Sequence, residues 1–63
     1  MRVKKLEVDA VVDVSADFGA AVVRDYMEKG YLAVDEQRNR LLRSVKELKD
    51  NSEIVLMPPL VGG

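Results

Sequence analysis

The sequence predicts an α+β fold, a sheet of four to five strands packed on one helix. Three observations predict it. Apolar residues alternate with acids from Leu6 to Val14, as in a half-buried strand. One stretch, from Ser15 to Gly30, carries a cap, a helical apolar stripe and a stop signal. The remainder breaks into short apolar runs separated by turn residues. The resulting order is strand, strand, helix, strand, strand, strand.

At the start of the chain, Leu6, Val8, Ala10, Val12 and Val14 are apolar, with Glu7, Asp9 and Asp13 between them and Val11 as the one exception. Two strands, roughly 2–8 and 10–15, are expected, joined near Asp9-Ala10. A two-residue hairpin loop swaps the parity of inward residues, and this parity does not swap. A longer loop or a bulge near Lys4-Lys5 restores consistency, since Val3 is out of phase with Leu6. A single long strand, open to exchange between chains, is the alternative. Ser15 or Asp17 then caps a helix reaching about Lys29. Phe18, Ala21, Val22 and Tyr26 form its expected buried stripe, with Arg24, Asp25, Glu28 and Lys29 in water. Gly30 stands where a left-handed residue ends a helix. "YLAVDEQ" reads as a strand, "RNR" as a turn and "LLRSV" as a short strand. Leu48 anchors the charged connection that follows. Asn51 suits a positive φ in the turn Asp50-Asn51-Ser52-Glu53. "IVLM" is the last strand, with Ile54 and Leu56 on one face and Val55 and Met57 on the other.

The chain has 63 residues, enough for one domain with a small core. It contains no Cys and no His. That excludes a disulfide framework, the usual zinc site and Cys/His nucleophilic catalysis. No EF-hand loop is present, and no metal site is assigned. The net charge of −1 lacks the basic excess of a nucleic-acid-binding domain. No apolar run reaches membrane-spanning length, and the acids within the first residues do not fit a signal peptide. A cytoplasmic location, without membrane or nucleic-acid partners, is expected.

"EIVLMPPLVGG" closes the sequence. Pro58 and Pro59 cannot donate to a ladder, so they stop the strand and extend the chain outward. Leu60 and Val61 offer an apolar grip; burying both on a partner contributes on the order of 3 kcal/mol before ordering costs. Gly62 and Gly63 lack Cβ atoms, so they fit a channel too narrow for other residues. The Gly63 carboxylate becomes an acyl donor only after activation, for example by adenylation.

The stretch "LKDNSEIVLMPPLVGG", residues 48–63, resembles the ubiquitin-like sulfur carriers of the MoaD and ThiS families. MoaD-type chains share the acidic turn before the last strand, then Pro-Pro, small or apolar residues and Gly-Gly. Asn51 replaces the Gly usual in that turn, and "YLAVDEQ" resembles the family's middle strand. The resemblance implies a ubiquitin-like β-grasp fold with a mixed sheet, a domain over residues 1–57 and an extended tail over 58–63. It implies that Gly63 carries the acyl group and the sulfur. A ThiF/MoeB-like activating enzyme would use ATP to adenylate it, and the chain itself would bind no cofactor. The thiocarboxylate would serve a sulfur-acceptor synthase large subunit in molybdopterin, thiamin or tRNA biosynthesis. Partners would grip Gly62, Val61, Leu60 and Pro59, and dock on Met57 and Val55. The chain would be a carrier rather than an enzyme.

Two other classes compete. One is a ubiquitin-like modifier joined to lysines; the other is a β-grasp interaction module whose tail is never activated. Independent catalysis has little support, because Asp9, Asp13 and Asp17 straddle a strand and a helix start. Arg38, Arg40, Arg43, Lys46 and Lys49 are interleaved with Glu36, Glu47, Asp50 and Glu53. With only Phe18, Tyr26 and Tyr31 as aromatics, this reads as a solvated mixed-charge surface rather than an RNA platform; a docking patch for an acidic partner is the alternative.

Overall fold

A computed structural model describes residues 1–8 and 10–59. It comprises β1 (Arg2–Lys5), β2 (Val11–Asp13), α1 (Ala16–Glu28), β3 (Leu32–Asp35), β4 (Arg40–Leu41), a 3₁₀ turn (Val45–Glu47) and β5 (Glu53–Met57). The five strands lie in the order β2-β1-β5-β3-β4. β1 and β5 are parallel, and the other neighbours are antiparallel. One helix on this mixed sheet is the β-grasp arrangement. It matches the expected fold class.

Alternation decides the faces. Val3, Ala33, Ile54 and Leu56 point to α1 and are buried, with Val23 of the helix closing the core. Val55 and Met57 take the opposite face and are half-buried. Ile54 and Leu56 are 1% and 0% exposed, as a central strand flanked by β1 and β3 requires.

The first hairpin differs from its expected form. Both strands are shorter, and residues 6–10 connect them in place of a joint near Asp9-Ala10; Asp9 itself lies outside the described residues. The backbone here bonds to itself: Val8 N–H donates to Lys5 O at 3.1 Å and Ala10 N–H to Val8 O at 2.8 Å. Those bonds replace ladder bonds and lengthen the loop; with Val3 opposite Val12, the inward parity does swap between β1 and β2, against the expectation. Val8, Ala10, Val12 and Val14 keep one parity and line a cleft on the helix side. Leu6 leaves that set. Its N–H bonds Leu56 O at 2.9 Å, and its side chain lies on the other face, 57% exposed.

Ser15 is the helix cap, its Oγ accepting from Phe18 N–H at 3.3 Å. Gly30, at φ +96°, ends the helix as expected. The buried stripe is rotated by about one residue from the expected one. Gly19 and Val23 are buried and Val22 and Tyr26 half-buried, while Phe18 and Ala21 are exposed. The cause is Met1, itself buried, which packs against Gly19. A Cβ at Gly19 would collide with the Met1 Sδ. A residue without a side chain therefore marks the line of closest approach, and an apolar-stripe search passes over it.

In the second half, β3 ends at Asp35 and the turn spans residues 36–39, beginning two positions and ending one position earlier than "RNR" suggests. Asp35 is buried because its Oδ1 accepts from Gln37 N–H at 3.1 Å and Arg38 N–H at 3.2 Å. Asn39 takes the positive φ, +54°; Asn51 does not. Instead, the second turn closes through Ser52, whose Oγ accepts from Lys49 N–H at 2.8 Å. "LLRSV" contributes only Leu41 to a strand. Leu42 is buried and Ser44 caps the 3₁₀ turn. Leu48 packs on the core, as expected. Arg40 and Arg38 both pair with Glu47, at 3.1 and 3.8 Å, so part of the basic cluster is neutralised within the chain.

Candidate functional site

The face of the sheet away from α1 is graded along the strands. One cross-strand row holds Asp13, Arg2 and Glu53. The next holds Val11, Lys4, Val55, Val34 and Leu41. The last, nearest the end of β5, holds Leu6, Met57 and Leu32. Charge thus gives way to apolar surface in the direction in which β5 runs.

That apolar end is a groove of about 470 Å³, lined by Leu6, Gly30, Leu32, Met57, Pro58 and Pro59. Leu32 is 50% exposed, and Leu6 more so. Pro58 and Pro59 follow β5 directly and form one wall. Gly30 lines the groove as well, and a Cβ there would meet the Pro59 Cβ at 3.5 Å. The glycine that ends the helix thus borders the double proline at ordinary contact distance.

A polar clasp supports the groove from behind. Tyr31 donates its hydroxyl to Glu7 Oε1 at 2.8 Å, and the Lys5 ammonium sits 3.4 Å from the same oxygen. Lys5 also lies over the rings of Tyr26 and Tyr31, at 5.0 and 5.9 Å from their centroids, and the rings meet edge to face at 4.9 Å. The hydrogen bond to Glu7 raises the Tyr31 pKa above its ordinary 10.0, with partial desolvation and the Glu7 charge acting in the same direction. Partial desolvation pulls the Lys5 ammonium down, but Tyr26, Glu7 and Tyr31 outweigh it and its pKa is raised. Glu7, one residue beyond Leu6, is thereby tied to the segment that follows the helix.

Of the residues expected in the site, Met57 and Pro59 line this groove, and Val55 lies one row away on the same face. Leu60, Val61, Gly62 and Gly63 lie outside the described residues. The structure adds Leu6, Gly30, Leu32 and Pro58. Leu32 belongs to the alternation of "YLAVDEQ", which leaves open whether Leu32 and Val34 or Ala33 and Asp35 face inward. Among the described residues, no group of three or more acids is placed to hold a metal ion. No described helix is long and apolar enough to cross a membrane. A scan against protein-family models, a search of the curated proteins and a search of the solved structures each return no match.

Proposed function

We propose that this chain is a sulfur carrier whose Gly63 carboxylate is the reacting group. The observation that carries the reading is the position of Pro58-Pro59. They follow the central strand of the sheet at the apolar end of its open face, and Leu60-Val61-Gly62-Gly63 comes next in sequence. The resemblance of residues 48–63 to MoaD and ThiS tails supports the same reading.

In this scheme a ThiF/MoeB-like activating enzyme docks on the groove and on Val55, and takes the tail into its nucleotide site. A carboxylate oxygen of Gly63 attacks the α-phosphorus of ATP, and pyrophosphate leaves. A sulfide donor then adds to the acyl carbon, AMP leaves with the former carboxylate oxygen, and a thiocarboxylate remains. Glycine at positions 62 and 63 keeps the acyl carbon open to both attacks. The acceptor synthase subunit uses the same face in turn. ATP belongs to the activating enzyme, and this chain holds no cofactor.

The test is intact-mass spectrometry after incubation with ATP, a sulfide source and an activating enzyme proven on another carrier. One oxygen should be exchanged for sulfur, and Gly63→Ala should abolish the exchange while leaving the melting curve in place. An unchanged mass defeats the reading. A lysine-linked product would assign the same carboxylate to protein modification, and partner binding indifferent to Gly63 would leave only an interaction module. Met57→Lys should weaken binding to the activating enzyme by about tenfold or more, with a stability change within about 0.5 kcal/mol for a half-exposed site.

A further inference from the structure

The two edges of the sheet are unlike. β4 is two residues long, and its Arg40 is bound to Glu47. β2 reads Val11-Val12-Asp13, is exposed along its length, and has no proline, lysine or bulge to discourage pairing. Among the described residues no strand lies beyond it.

Its backbone polarity follows from the ladder. Val14 N–H donates to Met1 O and the Met1 amine donates to Val14 O, so Val12, two residues back, also directs its polar groups to β1. Arg2 N–H bonds Ser52 O and Leu6 N–H bonds Leu56 O, which places the even-numbered groups of β1 toward β5 and confirms the alternation. Val11 and Asp13 therefore direct their N–H and C=O groups away from the sheet.

We infer that β2 pairs antiparallel with β2 of a second copy of this chain, about a twofold axis through Val12. In that register Val11 of each copy opposes Asp13 of the other. Both outward N–H groups of each copy then meet a carbonyl, giving about four interchain hydrogen bonds. The two Val12 side chains form the close, non-hydrogen-bonded pair on the helix side, covering residues now 54% exposed. On the other face the row runs Glu53, Arg2, Asp13, then Val11 and Lys4 of the second copy. Charges alternate along it, and the two Asp13 carboxylates never face each other. Asp13 is also 3.7 Å from its own Met1 amine, so the charge that would guard this edge is already countered. The closed twofold leaves no free β2 edge, and the charged β4 edges remain at the ends. The groove at Met57 stays open, because β5 lies two strands from the axis.

The experiment is sedimentation and light scattering of the full chain over a concentration series, with amide hydrogen exchange at each concentration. The mass should rise from 7.0 kDa to twice that value, and the Val11 and Asp13 amides should slow by about tenfold or more as it does. Val11→Pro removes an outward donor where the ladder to β1 has no need of it, and should hold the mass at one chain. Val12→Lys sets two ammonium groups at the axis and should do the same, deciding the matter if the proline variant fails to fold. A single-chain mass at every concentration overturns the inference. So does a dimer that survives Val12→Lys, or one in which the two amides exchange as fast as in the monomer.

Discussion

Gly30 ends the helix and borders the groove, but only the first role needs a residue without a side chain. Its φ of +96° lets the chain turn from α1 into β3, and its bare Cα faces the Pro59 ring. The space alone would admit a methyl group, since 3.5 Å is ordinary contact distance. The backbone would not, because a Cβ at positive φ meets the adjacent carbonyl. Gly30→Ala should therefore cost about 1–2 kcal/mol, read as a lower denaturant midpoint with an unchanged slope. An equal midpoint would mean that the helix end relaxes to negative φ. This residue's role was legible in the sequence, because a glycine after a helical stripe has one principal use. Gly19 was not legible. Its work is to admit Met1, and nothing local in the sequence identifies a tertiary neighbour.

The elements show the same division between local and distant causes. The Ser15 cap and the last strand's alternation depend on neighbours in sequence, and both stand where expected. The first hairpin depends on where residues 6–8 find partners for their backbone, and its loop also decides which face Leu6 takes. Hence Leu6 was expected inside and is found in the groove. The clasp of Tyr31, Glu7 and Lys5 then ties that loop to the start of β3, and this gives the element a pH dependence. Tyr31 and Lys5 both have pKa values raised on folding. Between the unfolded and folded values the native chain holds more protons than the unfolded one, so stability falls as pH rises. The clasp's contribution is complete below about pH 10 and is lost above it. Chemical denaturation of Tyr31→Phe from pH 8 to 11 should show a shallower alkaline decline than the parent chain. Parallel curves would remove Tyr31 from the explanation.

At the scale of the molecule, pairings between sequence neighbours were more legible than the placement of β5. A parallel β1–β5 pair at the sheet's centre joins opposite ends of the chain, and no periodicity specifies it. That placement delivers Pro58 and Pro59 to the apolar end of the open face, so the site's setting depended on the part of the fold hardest to read. The same long-range closure is incomplete on the helix side. A cleft of about 240 Å³ separates the first hairpin from α1, with Val8 and Val12 on one wall, Val22 and Tyr26 on the other, and Leu56 among the residues lining it. A chain of 63 residues has little surface to bury, so unfilled apolar space bears directly on its stability. Val22 is half-buried at this wall, with room in front of it. Val22→Leu adds one methylene, worth about 0.8 kcal/mol if covered, and removes a β-branched residue from a helix for a further few tenths. The expected gain of about 1 kcal/mol corresponds to a rise of roughly 4–8 °C in melting temperature for a domain of this size. Val22→Ala supplies the opposite arm. It should lower the melting temperature, because the apolar area withdrawn from the cleft wall outweighs the better helix propensity of alanine. A fall in both variants would mean that the wall is already tightly packed and resists enlargement as it resists truncation, the signature of a closed core rather than an open cleft.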